Sequence, residues 1–155
     1  MGQRVYIVPE WMKGQPIPDG RVPLYLKPGL TFGTGSHPTT QLCLELMEQH
    51  IQGGEKLLDL GCGSGILAIA ALGLGAEHAV GVDIDPKAVD VAYENAAMDG
   101  IGKDRLTVLA GNVLAGQKFC HQLPAGQNPG VPGNLLAART TPPSALPQWV
   151  STPYR

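Results

Sequence analysis

The stretch Lys56 to Gly75, KLLDLGCGSGILAIAALGLG, leaves a folding chain few choices. A short apolar run of strand length passes directly into Gly61, Gly63 and Gly65, and these into an apolar run of helical length. A strand that turns into a helix within five residues needs glycine, because the backbone must bend tightly and leave room for whatever approaches it. The helix that follows presents N–H groups at its start, so the turn is a place for a ligand to sit.

Two further units repeat the pattern. HAVGVDI reads as a second strand, DPKAVDVAYENAAMDG as a helix with Pro86 at its start and Gly100 beyond its end, and RLTVLAG as a third strand. Strand and helix alternating in this way predict an α/β fold with a parallel sheet, right-handed crossovers and flanking helices. Upstream, HPTTQLCLELMEQHI predicts a helix from Pro38 to about Gln52. Residues 1–36 hold two strand-like runs, RVYIV and RVPLYLKP, separated by KGQPIPDG; they read as a hairpin or flap leading into the core at 37–114. Residues 115–155 read as an irregular tail: His121 to Arg155 carries half of the chain's prolines, and neither Asp nor Glu occurs after Asp104.

Composition narrows the function. A chain of 155 residues with 43% hydrophobic residues and a net charge of −2 is expected to be one soluble domain, with no direct nucleic-acid surface and no membrane attachment. Cys43, Cys62 and Cys120 are odd in number and lack metal-ligand spacing, so no metal is expected and a reducing cytoplasm is the natural home. Cys62 lies in the glycine loop without an obvious base beside it and reads as a small buried filler.

The ligand of the loop follows from its charges. Asp83, at the end of the second strand and 22 residues after Gly61, suits two hydrogen bonds to ribose hydroxyls. A dinucleotide fingerprint would continue G-x-G-x-x-G or Ala, but the glycines here alternate and the sixth position is Ile66. Asp59, two residues before the first glycine, would repel a diphosphate and attract the ammonium and sulfonium of S-adenosylmethionine. An Asp that merely caps the N–H groups of the turn is the competing reading of the same residue.

PGLTFGTGSHPTT, LLDLGCGSGILAIAALGLGA and VGVDIDPKAVDVAYENAAMDG, in this order and spacing, resemble the central part of the PrmA family, the methyltransferases of ribosomal protein L11. The resemblance runs from about Val5 to Leu114. It implies a Rossmann-like domain that binds S-adenosyl-L-methionine and methylates amino groups of that ribosomal protein. It also implies that Thr40, Gly61 and Asp83 contact the cofactor, that Gly63 and Gly65 lie under its methionine end, and that Ile84 lies against the adenine. Asn112 falls where related methyltransferases place a polar residue near the adenine amine; a turn-forming Asn is the alternative. His37 reads as solvated or capping, and the charges of DPKAVDVAYEN as a solvated helix face.

Two features of the family pattern are not found in the sequence. A separate N-terminal domain would precede this stretch, and a fourth strand ending in an N-I-L-A-type motif would follow it. The one similar string, NLLA at Asn134 to Ala137, follows NPGVPG and reads as coincidence. The expected protein is therefore a methyltransferase core with a truncated sheet, in an incomplete form, and no catalytic residue is evident. A non-catalytic cofactor-binding fragment or pseudoenzyme is the alternative, and a nicotinamide-dependent dehydrogenase a more distant one. Without a fourth strand, KLLDLG would have an open edge. It should then self-associate or take up part of the tail, with Val113 to Phe119 the favoured segment.

Overall fold

The computed structural model describes residues 3–27 and 37–112 and the backbone of 135–139. In chain order the elements are β1 (Val5–Pro9), a 3-10 turn (Glu10–Met12), β2 (Val22–Leu26), α1 (Pro38–His50), β3 (Lys56–Leu60), α2 (Ile66–Leu74), β4 (His78–Asp83), α3 (Pro86–Met98), β5 (Leu106–Ala110) and β6 (Leu135–Arg139). Four of the strands form one parallel sheet in the order β5-β4-β3-β6.

α2 is the centre of the molecule. All but one of its nine residues are buried, which a helix apolar on every side requires. It lies between β3 and β4 on one side and α1 and β2 on the other. Gly75 ends it in a left-handed conformation, with the Gly75 N–H donating to Leu72 O. α1 begins where Pro38 is tolerated, and His37 is its N-cap: the Thr39 N–H donates to His37 Nδ1 at 3.2 Å. Asp85 caps α3 in the same way by accepting from Lys87 N at 2.9 Å. α3 buries Ala88, Ala92 and Ala96 toward the core.

The N-terminal segment differs from the expected hairpin. β1 and β2 pair in parallel, Val5 with Val22 through Pro9 with Leu26. The twelve residues between them include a helical turn, long enough for the crossover that a parallel pair needs. Nor is the pair a flap. Val5, Leu24 and Leu26 belong to the same buried cluster as α2, and the Glu48 carboxylate of α1 accepts from the N–H groups of Gln3, Arg4 and Val5 at 2.8 to 2.9 Å.

A second difference concerns the open edge. β6, from the stretch read as an irregular tail, pairs in parallel with β3, Lys56 with Leu135 through Leu60 with Arg139. The fourth-strand place is filled, so β3 is an inner strand and offers no edge to another chain. The segment that does this is not the favoured one, since Val113 to Phe119 lies outside the described residues. The pairing runs counter to local preference, because leucine and alanine make a poor strand alone; an open ladder of backbone donors and acceptors on β3 decides it.

Candidate functional site

β3, β4 and β5 step across the sheet in one direction and β6 lies on the other side of β3, so the strand order reverses at the carboxyl end of β3. That is where open α/β sheets bind ligands, and it is where the glycine loop stands.

The loop is fixed from several sides. Gly61 N and Cys62 N both donate to Val82 O, at 2.7 and 3.1 Å, which ties the loop to β4. Gly63 N donates to Asp83 Oδ2 at 2.8 Å, and Gly65 N closes the turn onto Cys62 O at 2.8 Å. Gly65 holds φ +78°, and a Cβ built on it would stand 3.0 Å from the Ala92 methyl of α3, so glycine is required both by conformation and by space. Cys62 is 1% exposed and packs on Gly81 of β4, where the missing side chain makes room for it. Burial pushes its thiol well above the usual range, which makes it a filler and not a nucleophile.

Two carboxylates converge on this loop. Residues two apart on a strand share a face, so Asp59 and Leu57 both point into the core. Asp59 is 0% exposed, and its Oδ2 accepts from Ala68 N in the first turn of α2 at 3.3 Å. Its Oδ1 has no partner. Burial, opposed by that one hydrogen bond and reinforced by the nearby Asp83, raises its pKa to about 7. Asp83 is held at the end of β4 by Gly63 N on Oδ2 and by Asp85 N on Oδ1 at 2.9 Å. A carboxylate offers about four lone pairs, so each oxygen has capacity for one more donor.

The arrangement refines the expectation of N–H groups aimed at a ligand. Those of Gly61, Cys62, Gly63, Gly65 and Ala68 are all taken up by protein acceptors. With these five donors engaged and two carboxylates beside it, the loop is a poorer seat for a diphosphate than for a cationic ligand.

Of the residues singled out in the sequence, Asp59, Gly61, Gly63, Gly65 and Asp83 come together in this unit. Gly111 N donates to Asp83 O at 2.8 Å and so brings Asn112 to the same end of the sheet. Ile84 stands 71% exposed beside Asp83. Thr40 is buried in the first turn of α1, whose helix packs on α2, and no described bond joins it to the loop. Of NLLA, Asn134 lies outside the described residues, and Leu135 to Ala137 pair with Lys56 to Leu58, whereas the loop follows Leu60. The residue missed in the sequence is Asn95. It is 0% exposed and donates from Nδ2 to Ser64 O at 2.9 Å. It falls three residues after Ala92 and seven after Ala88, on the buried stripe of α3, and a polar residue on an apolar stripe is the signal that marks it.

Fold, loop and acidic strand end together define a Rossmann-like methyltransferase domain. The chain belongs to the ribosomal protein L11 methyltransferase (PrmA) family, whose sequence profile matches residues 1–138. It is 48% identical over 140 residues to the ribosomal protein L11 methyltransferase of Chloroflexus aurantiacus, covering 90% of this chain and 42% of that protein. Against the Pseudomonas paraeruginosa protein of the same name it is 51% identical over 151 residues, covering 88% and 50%. The chain thus spans about half the length of the curated relatives it matches. Its structure is similar to that of the ribosomal protein L11 methylase of Lactobacillus delbrueckii subsp. bulgaricus, with a TM-score of 0.65 and 38% identity over 74% of this chain and 57% of the other. Among the described residues no helix is long and apolar enough to cross a membrane, and no group of three or more His, Cys, Asp or Glu could hold a metal.

Proposed function

We propose that this chain is the cofactor-binding part of an S-adenosylmethionine-dependent methyltransferase whose acceptor is an amino group of ribosomal protein L11, acting in the cytoplasm. The observation that carries the reading is the unpaired, buried Oδ1 of Asp59 beside the glycine loop. A carboxylate left with an unsatisfied oxygen in the core is costly, and a cation brought to the loop offsets that cost. Contact is not required. At an effective dielectric of about 20, unit charges about 6 Å apart attract by about 3 kcal/mol.

The cofactor supplies a methyl group on a sulfonium, already activated for displacement. The residues present fit it. Asp83 has an open lone pair on each oxygen for the two ribose hydroxyls, and exposed Ile84 beside it offers an apolar surface for the adenine. Gly63 and Gly65, the latter backed by Ala92, would form the turn under the methionine end, with Asp59 beneath as counter-charge, while Asn112 and Thr40 complete the proposed contacts. Relatives named for the methylation of protein L11 support the acceptor. Methylation of a lysine-type amine, pKa about 10.4, requires that it be held uncharged in line with the methyl.

A second reading, a non-catalytic cofactor-binding fragment, is favoured by the register of β6. Leu135 pairs with Lys56 at the start of β3, and Arg139 takes the position next to Leu60, where the loop begins. Calorimetry with S-adenosylmethionine and with NAD tests the common ground; tighter binding of NAD would sink both readings. Methyl transfer to purified L11 separates them, since cofactor binding without transfer leaves the second.

A further inference from the structure

α3, which packs on β4 and β5, also borders the glycine loop. Ala92 and Asn95, three residues apart on its buried stripe, meet the loop at consecutive residues: Ala92 packs where Gly65 has no side chain, and Asn95 holds the carbonyl of Ser64. The amide of Asn95 works in both directions. Its Nδ2 donates to Ser64 O at 2.9 Å, and its Oδ1 accepts from Lys27 N, just beyond the end of β2, at 3.0 Å. Only this orientation of the amide serves both partners, because one is an acceptor and the other a donor. The side chain is 0% exposed and its bond to Ser64 O is buried, so no water can take over that bond.

Ser64 lies between the two glycines on which the methionine end is proposed to rest, and Gly63 N is already tied to the Asp83 carboxylate. The peptide between Gly63 and Gly65 is thus held at its donor side by β4 and at its carbonyl side by α3. Released from either, the segment gains freedom, because the glycines on both sides of Ser64 are the least restricted residues of the chain.

We infer that Asn95 is a positioning residue for the cofactor: through the Ser64 carbonyl it fixes the loop in the conformation that binds, and through Lys27 N it couples the loop to β2. The inference rests on the reading of the loop as an S-adenosylmethionine site. It assigns to α3, a helix whose charged residues face solvent, a part in affinity that does not require touching the ligand.

The test separates the two arms of the amide. Asn95→Asp keeps an acceptor for Lys27 N but removes the donor to Ser64 O, and a buried carboxyl is protonated more readily than an exposed one. Affinity for S-adenosylmethionine is measured by calorimetry for this variant and the unaltered chain at pH 8 and pH 5.5, with folding checked by circular dichroism. The expected result is binding about tenfold or more weaker at pH 8, from loss of a buried hydrogen bond. The ratio of the two affinities should shrink at pH 5.5, where a protonated carboxyl again donates to Ser64 O. A folded variant whose affinity equals that of the unaltered chain at pH 8 overturns the inference, because Asn95 then only joins α3 to β2. If the variant does not fold, the side-chain amide resonance of Asn95 in the unaltered chain decides. It should shift on titration with S-adenosylmethionine with the same midpoint as the Gly63 and Gly65 amides, and a resonance that stays still while theirs move overturns the inference. Absence of binding by the unaltered chain is a different outcome: it removes the site reading itself and the role of Asn95 with it.

Discussion

Two buried carboxylates bracket β3, and they are treated in opposite ways. Glu55, just before the strand, is 6% exposed and accepts from Gln52 N at 2.9 Å and from Gly53 N at 2.9 and 3.2 Å. Burial pushes its carboxyl up, but the backbone donors outweigh that and hold it below the usual value. Asp59, near the other end, is 0% exposed, has one long hydrogen bond at 3.3 Å and an oxygen with none, and its pKa rises to about 7. Glu55 is complete within the protein and shapes a turn. Asp59 is incomplete, and under the proposed function a cation at the adjoining loop offsets its charge. Partner count, more than burial or charge, distinguishes a structural acid from one with a function outside the chain.

The sharpest way to break this contrast is to remove Glu55. Glu55→Ala removes the charged acceptor of the Gln52 and Gly53 N–H groups and should cost about 2 kcal/mol of stability. Cofactor affinity of the folded fraction should not change. Chemical denaturation gives the first quantity and calorimetry the second; a loss of affinity without a loss of stability would mean that the two acids are not distinct in role. Asp83 lies between the extremes, with one N–H on each oxygen and a lone pair to spare. Asp83→Ala should weaken S-adenosylmethionine by about 2 kcal/mol, roughly thirtyfold, through the lost ribose contacts and the released Gly63 N–H. An unchanged dissociation constant would take Asp83 out of the site.

A smaller effect has the opposite sign. Asp59→Asn removes a buried charge while keeping the shape and the acceptor for Ala68 N, so it should stabilise the unliganded chain at pH 8 by about 1 kcal/mol. The pH dependence gives the check. With its pKa raised from 3.8 to about 7, Asp59 holds a proton in the folded chain that it gives up on unfolding. Its contribution is therefore fully present below pH 3.8 and is lost as pH rises through about 7. Glu55 runs the other way, contributing above its ordinary value of 4.5 and losing that contribution as pH falls. Melting temperatures of the unaltered chain and of Asp59→Asn should converge near pH 4 and separate toward pH 8. Parallel curves would show that Asp59 is ionised throughout.

These features were unequally legible in the sequence. The glycine loop, the acid ending β4, and α1 to α3 announce themselves, because helix and strand periods and the glycine turn are local properties. β1 and β2 were legible as strands but not as a parallel pair, since two strand-like runs around a proline-rich turn look the same whether the chain folds back or crosses over. β6 was hidden for a different reason. LLAAR has little preference for a strand, and what recruits it is the ladder on β3, 75 residues or more upstream in every pair. Asn95 was hidden among the charged residues of its helix. Position on the stripe of Ala88, Ala92 and Ala96 marked it, but its two partners belong to distant loops and follow only from the fold.

The central claim is that Asp59 is kept incomplete for a cationic ligand. It is tested most directly by the affinity of S-adenosylmethionine for the unaltered chain and for Asp59→Asn, measured from pH 6 to pH 8. Binding to the unaltered chain should tighten as pH rises through about 7, where Asp59 ionises. Asp59→Asn should lack this contribution and bind about tenfold or more weakly at pH 8. Equal affinities at pH 8, in a variant that is folded, would contradict the account and leave Asp59 as a cap for the first turn of α2.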